Sequence, residues 1–356
     1  MNVLHVVGAR PNFMKAAPLL LALDRFSNIQ QTLVHTGQHY DRKLSEIFFS
    51  ELEMPEPDIN LEVGSGTHVH QTAQVMTRLE PVVLEKKPGW VIVYGDVNST
   101  LASTLVCSKL QIKLAHVEAG LRSFDRTMPE EINRLVTDQL SDLLFTPSAD
   151  ADENLLREGI PQARIRRVGN IMIDSLIRLL PRTEGVIVDD GFGVSVPFGL
   201  VTLHRPANVD APESLSRILS VLSKLSQRIP LIFPMHPRTQ NQIKGLNISL
   251  SSQVKILGPV GYIEFLALQR SATFVITDSG GVQEETTYLG VPCLTLRENT
   301  ERPVTVAQGT NTLIGNDLEL LESEVEQILD GKQKKGTVPA LWDGRTGDRI
   351  ASLLSG

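Results

Sequence analysis

Two successive series of short apolar runs, separated by longer helical segments, constrain the fold of this chain more than any other feature. The first series is VLHVVG, QTLVHTG, WVIVYGD, KLAHVEAG and DLLFTPS, and the second is FGLVTLH, PLIFPMH, VKILGP, TFVITD and PCLTL. Intervening segments such as STLASTLVCSKLQ have apolar residues every three or four positions, as amphipathic helices do. The alternation predicts parallel sheets with helices on both faces, and its restart predicts two doubly wound α/β domains.

The length of the chain and its polar middle segment predict where the two domains divide. At 356 residues the chain exceeds the size at which single cores usually stop growing. One candidate boundary is the Gly-, Pro- and acid-rich segment 181–199, and the other is near residue 168. We assign residues 1–168 to the first domain and 169–340 to the second, and expect a helix over 341–356 to pack back on the first.

Composition excludes several classes of function. The formal net charge of −7 argues against binding to nucleic acid or to anionic membranes. No apolar run approaches the roughly 20 residues that span a bilayer. Cys107 and Cys293 offer no disulfide framework and the first residues lack a signal-peptide pattern, so we expect a cytoplasmic protein. No Cys/His cluster has metal-ligand spacing, and we expect no metal.

Charged residues follow the predicted strands of the first domain. Ligands of doubly wound sheets bind beyond the carboxyl ends of the strands, so tandem domains are expected to face a central cleft there. Arg10 and Lys15 surround the first strand-to-helix turn, where backbone amides can hold an anion. A plain turn with a surface arginine is the alternative interpretation of this stretch. Asp96 ends the run WVIVYGD and either caps the next helix or presents a carboxylate to the cleft. Glu118 ends an apolar strand before Gly120, so it is not a helix cap.

Glu130 and Glu131 open the next predicted helix. The helix dipole favours acidic residues in a first turn, which is one explanation of the pair. Arg122, Arg126 and Arg134 lie close in sequence, so an ion network is another explanation. Acid–base chemistry, shared with the two strand-end carboxylates, is the third.

The second domain carries groups suited to a diphosphate. His204, followed by Arg205, and His236, followed two residues later by Arg238, each end a predicted strand. The run TFVITD leads into the turn Ser279, Gly280 and Gly281 and then a helix, whose amides can approach an anion. An ordinary strand-to-helix turn is the alternative reading of this segment. The signature G-x-G-x-x-G of dinucleotide sites is absent, which argues against a tightly held NAD.

Two acids and a further cation accompany this turn. Glu284 or Glu285 lies one helical turn beyond the glycines, within reach of ribose hydroxyls. Arg302, in the segment LRENTERP, adds a positive charge.

Motifs along most of the chain resemble those of the UDP-N-acetylglucosamine 2-epimerases. Between residue 3 and about residue 315 they are GARPNFMKAAPL, TGQHYD, YGDVNST, HVEAGLRS, MPEEINR, TLHRP, MHP, DSGGVQEE and GVPCLTLRENTERP. Each motif is moderately specific, and their order and spacing together are highly specific. The resemblance implies the GT-B fold, in which two Rossmann-like domains face a central cleft. It also implies a homodimer that acts on a UDP-sugar without a cofactor.

The resemblance assigns roles to individual residues. It implies that Asp96, Glu118 and Glu130 are catalytic carboxylates and that His204 acts near the diphosphate. Phe265 matches an aromatic residue near uracil, and Glu285 a residue on the ribose. The motifs and the strand-end pattern together assign the following residues to UDP-sugar binding: Arg10, Lys15, His236, Phe265, Ser279, Gly280, Gly281, Glu285 and Arg302.

Several positions depart from the family pattern. Arg-Pro-Ala-Asn at 205–208 replaces Arg-Arg-Glu-Asn, and Asn12 stands where Glu is frequent. Gln38 and His39 match part of an activating UDP-N-acetylglucosamine site of some bacterial members, but the segment around Gln71 lacks the arginine of that site. These departures argue against allosteric activation and leave room for a relative of the usual sugar.

The implied reaction explains why carboxylates collect in the first domain. Loss of UDP from carbon 1 acidifies the hydrogen on carbon 2, and a carboxylate removes it to give a 2-acetamidoglucal. UDP adds back while a proton arrives on the opposite face, which inverts carbon 2 and yields UDP-N-acetylmannosamine. The alternatives are a hydrolysing 2-epimerase that releases N-acetylmannosamine and UDP, a GT-B glycosyltransferase, and a nucleotide-sugar binder without turnover.

Overall fold

A computed structural model describes residues 1–37, 49–186, 188, 196–235, 237–245 and 250–355 of the chain. The chain divides into two compact units, the first formed by Met1–Arg178 with Ala340–Gly356 and the second by Leu179–Pro339. Each unit contains one parallel sheet with helices, which confirms the predicted α/β class with two doubly wound domains.

The first unit is a seven-stranded parallel sheet in the order β3-β2-β1-β4-β5-β6-β7. Its strands are β1 Asn2–Val7, β2 Gln30–His35, β3 Ile59–Asn60, β4 Trp90–Tyr94, β5 Leu114–Val117, β6 Leu143–Thr146 and β7 Ile165–Arg167. Its helices up to the unit boundary are α1 Arg10–Leu23, α2 His68–Lys86, α3 Asn98–Leu110, α4 Pro129–Leu140, α5 Ala149–Arg157 and α6 Ile171–Leu179, with a 3-10 turn at Gln162–Arg164.

The order of the strands reverses between β1 and β4, and β4 lies beside β5. Tyr94 pairs with Val117 at the ends of β4 and β5, so these strands finish side by side. The strands are buried because helices cover both faces, and their side chains are accordingly apolar. The residues that follow these two strands therefore lie on the same edge of the sheet, where ligands of such sheets bind.

The second unit is a six-stranded parallel sheet in the order β10-β9-β8-β11-β12-β13. Its strands are β8 Gly199–Thr202, β9 Leu231–Pro234, β10 Val254–Leu257, β11 Phe274–Thr277, β12 Cys293–Thr295 and β13 Asn311–Leu313. Its helices are α7 Pro206–Val209, α8 Pro212–Leu225, α9 Pro237–Gly245, α10 Tyr262–Ser271, α11 Gly280–Leu289, α12 Pro303–Ala307 and α13 Leu318–Leu329, with a 3-10 helix at Leu180–Gly185.

The last helix of the chain, α14 Thr346–Ser355, packs on helix α1 of the first unit. A Cβ added at Gly347 would lie 2.9 Å from the Pro18 carbonyl oxygen, so glycine permits the close approach of the two helices. Asp348 of α14 forms an ion pair with Arg25. Within the described ranges, no helix has the length and apolarity needed to cross a membrane.

Candidate active site

Gly95, which follows β4, brings the Asp96 turn against the carboxylate of Glu118. Gly95 has a positive φ of 59°, which favours glycine. A Cβ added there would lie 2.6 Å from Lys15 Nζ and 3.1 Å from Glu118 Oε2. The turn after β4 and the side chain after β5 are therefore in close contact.

Glu118 is held in a strained and buried position. Its φ of 74° lies in the left-handed region, which is uncommon for residues with a side chain and is often found at functional sites. Only 7% of the residue is exposed, and its carboxylate forms an ion pair with buried Lys15. The backbone N–H groups of Glu118 and Ala119 both donate to the Phe145 carbonyl at 3.1 Å.

Asp96 is half-buried and points a carboxylate toward helix α4. Arg134 of α4 forms an ion pair with this carboxylate, and Asn133 Nδ2 donates to the Asp96 carbonyl at 2.8 Å. The N-cap residue of α3 is Val97, without a side-chain cap hydrogen bond. Asp96 therefore does not serve as the cap of that helix.

The two neighbouring acids of α4 have different surroundings. Glu131 is 1% exposed, accepts hydrogen bonds from the N–H groups of Ser123 and Phe124 at 3.0 Å, and pairs with Arg134 at 2.7 Å. Glu130 is half-buried, and its side chain forms no hydrogen bond or ion pair with any residue that the structure describes. Of the two, Glu131 is committed to the structure of the loop, whereas Glu130 keeps its carboxylate available.

Helix α4 directs one polar face at the strand ends. Glu130, Asn133, Arg134 and Asp138 are spaced by three, four and eight positions from the first, so they lie on one side of the helix. Asp138 is completely buried and contacts His116 Nδ1 at 2.6 Å. This face reaches both β4 and β5.

The ionised state of Asp138 is favoured despite its burial. Burial alone would raise the pKa of the Asp138 carboxyl, but contacts with His116 and with Arg122 outweigh it and hold the pKa below its usual value. Arg122 Nη1 lies 2.7 Å from Asp138 Oδ2, and the Gly120 N–H donates to the same oxygen at 3.1 Å. Sequence reasoning missed His116, Asn133 and Asp138, and the periodicity of polar residues along α4 was the signal that could have found the last two.

The first turn of the chain is tied to the same edge. Asn12 accepts hydrogen bonds from the N–H groups of Gly8 and Ala9 at 3.0 and 3.2 Å and donates to the Tyr94 carbonyl at 2.8 Å. Asn12, which stands where Glu is frequent in the family, thus joins α1 to the end of β4. Arg10 begins α1 and is exposed.

In the second unit, Asp278 organises the loop after β8. The completely buried carboxylate lies 3.0 Å from His204 Nδ1 and accepts from the Arg205 N–H and from Asn208 Nδ2, both at 2.9 Å. Burial alone would raise the pKa of Asp278, but these hydrogen bonds, with that from His204 the largest, hold the pKa below its usual value. The His204 side chain is 59% exposed, and its Nδ1 contact leaves Nε2 directed elsewhere.

The turn Ser279–Gly281 leads into α11 as the sequence predicts. Ser279 is the N-cap residue of α11, and no side chain caps this helix by a hydrogen bond. A Cβ added at Gly280 would lie 2.4 Å from Arg302 Nη1, so the glycine admits this guanidinium to the positive end of the helix. Arg302 in turn pairs with Glu284 at 2.9 Å and with Glu301. The arrangement of helix amides and a cation suits a phosphate.

Glu285 and Phe265 lie deeper in the second unit. Glu285 is 3% exposed and accepts hydrogen bonds from Tyr262 Oη at 2.8 Å and Gln269 Nε2 at 2.7 Å. Burial raises the pKa of the Glu285 carboxyl, although both hydrogen bonds oppose the shift. Phe265, on the same helix as Tyr262, is half-buried and packs on the hydrophobic cluster that includes Leu268. His236, Gln38 and His39 lie outside the described residues.

Groups of three His, Cys, Asp or Glu side chains that could hold a metal do not occur in the part of the chain that the structure describes. The available chemistry is that of carboxylates beside cations in the first unit, and of an anion-binding helix end in the second.

A family model described as UDP-N-acetylglucosamine 2-epimerase matches residues 21–355. The chain belongs to this family. It is 43% identical to the UDP-N-acetylglucosamine 2-epimerase of Methanocaldococcus jannaschii, with 100% of this chain and 99% of the relative covered. It is 41% identical to the UDP-2,3-diacetamido-2,3-dideoxy-D-glucuronate 2-epimerase of Pseudomonas aeruginosa, with the same coverage.

Solved structures of the family agree with the fold. The Methanocaldococcus jannaschii UDP-GlcNAc 2-epimerase in complex with UDP-GlcNAc and UDP matches with a TM-score of 0.92 and 44% identity, over 100% of this chain and 99% of that one. The Neisseria meningitidis enzyme bound to UDP-GlcNAc matches with a TM-score of 0.89 and 29% identity, over 100% of both chains. The resemblance found in the motifs is thereby confirmed, as is the GT-B type of fold.

Proposed function

We propose that the chain is a non-hydrolysing epimerase, an isomerase that interconverts UDP-N-acetylglucosamine and UDP-N-acetylmannosamine. The observation that carries this proposal is the contact between the Asp96 turn and the Glu118 carboxylate at the ends of neighbouring strands. Inversion of one carbon needs proton transfer on two faces, and two carboxylates on one sheet edge can supply both groups. Membership in the family supports the substrate class.

In this scheme, side chains of the first unit transfer the protons. The C2–H electrons form the C1–C2 double bond of the glycal while the C1–O bond breaks, UDP leaves and a carboxylate takes the proton. In the second half, UDP returns to carbon 1 and a second acid delivers a proton to the other face of carbon 2. Asp96, Glu118 and Glu130 are the proposed acid–base groups. Lys15 forms an ion pair with Glu118, and Arg134 forms one with Asp96.

The second unit is proposed to hold UDP while it is detached from the sugar. The N–H groups that begin α11 and the Arg302 guanidinium favour the negative charge that develops on the leaving diphosphate. His204, oriented through Nδ1 by Asp278, presents Nε2 to the same anion. Glu285 and Phe265 are proposed to contact the ribose and the uracil.

A second UDP-sugar is also a candidate substrate. The relative that is named for UDP-2,3-diacetamido-2,3-dideoxy-D-glucuronate is 41% identical, close to the 43% of the relative named for UDP-N-acetylglucosamine. The two substrates share the acetamido group at carbon 2 and the UDP leaving group, so the same acid–base chemistry serves both. We therefore include the diacetamido-uronate as an alternative substrate.

The test of the proposed function is incubation with each UDP-sugar in deuterated water, followed by proton and phosphorus NMR. The proposal predicts deuterium at carbon 2 of the recovered UDP-sugar and no stoichiometric free UDP. Free UDP together with a released N-acetyl sugar would identify a hydrolysing enzyme instead. Normal binding of UDP without any turnover of either UDP-sugar would identify the protein as a nucleotide-sugar binder.

Two further expectations belong to the proposal. We expect a homodimer, as the family resemblance implies, and sedimentation equilibrium tests it. We also expect the enzyme to act in the cytoplasm, and fractionation of the source cells tests that.

A further inference from the structure

Strand β5 holds both backbone polar groups of Gly95, the residue that precedes Asp96. The Gly95 N–H donates to the Val117 carbonyl at 3.0 Å. The Gly95 carbonyl accepts a hydrogen bond from His116 Nε2 at 2.8 Å. His116 is completely buried. The imidazole ring of one strand residue thus fixes the turn that carries Asp96.

The other ring nitrogen of His116 leads to the turn that carries Glu118. His116 Nδ1 lies 2.6 Å from Asp138 Oδ1, and Asp138 Oδ2 accepts from the Gly120 N–H at 3.1 Å. Gly120 stands two residues after Glu118 and has a positive φ of 83°. One continuous series of hydrogen bonds therefore joins the backbone of the two carboxylate-bearing turns.

The surroundings of His116 include one arginine and two carboxylates. Nε2 of His116 donates to the Gly95 carbonyl, and Nδ1 faces the ionised Asp138 carboxylate. Arg122 forms a bidentate contact with Glu158, at 2.7 Å from Nε and 2.6 Å from Nη2. Arg122 thus contacts two carboxylates, those of Asp138 and Glu158. Removal of one charged member would leave its partner as an uncompensated ion.

We propose that His116 is a positioning residue, which sets the geometry of Asp96 relative to Glu118 through its hydrogen bond to the Gly95 carbonyl. The inference rests on the proposed function, because it concerns the acid–base pair of that reaction. His116 does not touch the reacting atoms. Its effect comes from the backbone, since a displacement of about 1 Å in a catalytic group can cost about 100-fold in rate.

Two substitutions separate the hydrogen bonds of His116. Asparagine places its amide nitrogen near the position of Nδ1, so His116→Asn keeps the donor to Asp138 and loses the one to Gly95. Glutamine places its amide nitrogen near the position of Nε2, so His116→Gln keeps the donor to Gly95. We expect His116→Asn to lower kcat about 100-fold and His116→Gln less than about 5-fold, with KM and the dissociation constant of UDP within about twofold in both.

His5 of strand β1, on the other side of β4, provides the matched control. It is completely buried in β1, beside β4, and its Nδ1 lies 2.6 Å from the Tyr94 hydroxyl rather than from the turn. His5→Asn removes a buried ring of the same kind, so we expect a lower Tm with kcat unchanged.

The outcomes distinguish this inference from the proposed function. Unaltered protein that fails to epimerise either UDP-sugar counts against the proposed function. Equal losses of kcat in both His116 variants, or losses that follow a weaker UDP affinity, overturn the positioning role. Nitrogen-15 NMR of histidine-labelled protein gives a test that needs no turnover. A proton on Nε2 of His116 supports the inference, and a tautomer without a proton on Nε2 overturns it.

Discussion

Lys15 of helix α1 and Glu118 at the end of strand β5 form a buried ion pair across 103 positions of the sequence. The pair joins the first strand-to-helix turn of the chain to the turn proposed to carry a proton-transfer group. It places a positive charge against the carboxylate in a region where both side chains are almost fully buried.

Removal of the lysine should destabilise the first unit. Lys15→Met leaves the Glu118 carboxylate buried without its cation, which typically costs about 3–5 kcal/mol of unfolding free energy. The double variant Lys15→Met/Glu118→Gln removes both charges and should recover most of that loss, while remaining inactive. Urea unfolding measures the stabilities, and equal destabilisation of the single and double variants would contradict the ion pair as the cause.

The same substitution should lower activity at Glu130 and stability at Glu131. Glu130→Gln changes a carboxylate that has no hydrogen bond or ion pair to the described residues, so we expect a lower kcat with an unchanged Tm. Glu131→Gln weakens charged hydrogen bonds to Arg134 and to the loop at Ser123, which should lower stability by roughly 2–3 kcal/mol. Thermal unfolding and steady-state kinetics of the two variants, measured side by side, test this. A similar fall of Tm in both variants would refute the assignment.

Gly280 should be required for binding of UDP. In Gly280→Ala the new methyl group would lie 2.4 Å from Arg302 Nη1, so the guanidinium must leave the N-terminus of α11. We expect the affinity for UDP to fall by about 10-fold or more, since a charge-assisted contact to phosphate is lost. Gly185→Ala is the control, because no atom lies within 4 Å of a Cβ there. Calorimetric titration with UDP measures both variants, and equal affinities would show that Arg302 does not serve the phosphate.

Asp174 should make the stability of the first unit depend on pH. It accepts a hydrogen bond from the Gly347 N–H at 2.7 Å, and burial raises the pKa of its carboxyl from 3.8 to about 6. Because the folded-state pKa is the higher one, folding favours the protonated acid. The stabilisation of the folded state by the protonated Asp174 carboxyl is present below about pH 4 and is lost as the pH rises through about 6.

The neutral variant Asp174→Asn isolates this effect. The unfolding free energy of the variant minus that of the unaltered protein should rise by up to about 3 kcal/mol between about pH 4 and pH 7. Urea unfolding at several pH values provides the measurement. A difference between the two proteins that stays constant over this range would show that the carboxyl does not titrate in the folded protein.

The central strands were predictable from the sequence, and of the four edge strands only β10 was. All ten apolar runs correspond to strands, because a strand buried on both faces needs a continuous apolar sequence. The three strands without such a run are β3, β7 and β13, each two or three residues long, and all lie at a sheet edge. An edge strand has one neighbour and partial exposure, so its sequence carries little signal.

The position of the carboxylates was likewise predictable, but their partners were not. Asp96 and Glu118 follow apolar runs directly, and parallel strands end at a common edge. The contact of His116 with Asp138 depends on the rotation of α4 against the sheet, which no local pattern specifies. The same rotation decides that Glu131, rather than Glu130, turns inward to Arg134.

The most direct test of the central claim follows hydrogen at carbon 2 of the sugar in deuterated water. The unaltered protein should return UDP-sugar that carries deuterium at carbon 2, without accumulation of free UDP, whereas Asp96→Asn and Glu118→Gln should bind UDP normally and incorporate at most a trace. UDP-sugar recovered from the unaltered protein without deuterium, or undiminished incorporation in both variants, would contradict the account.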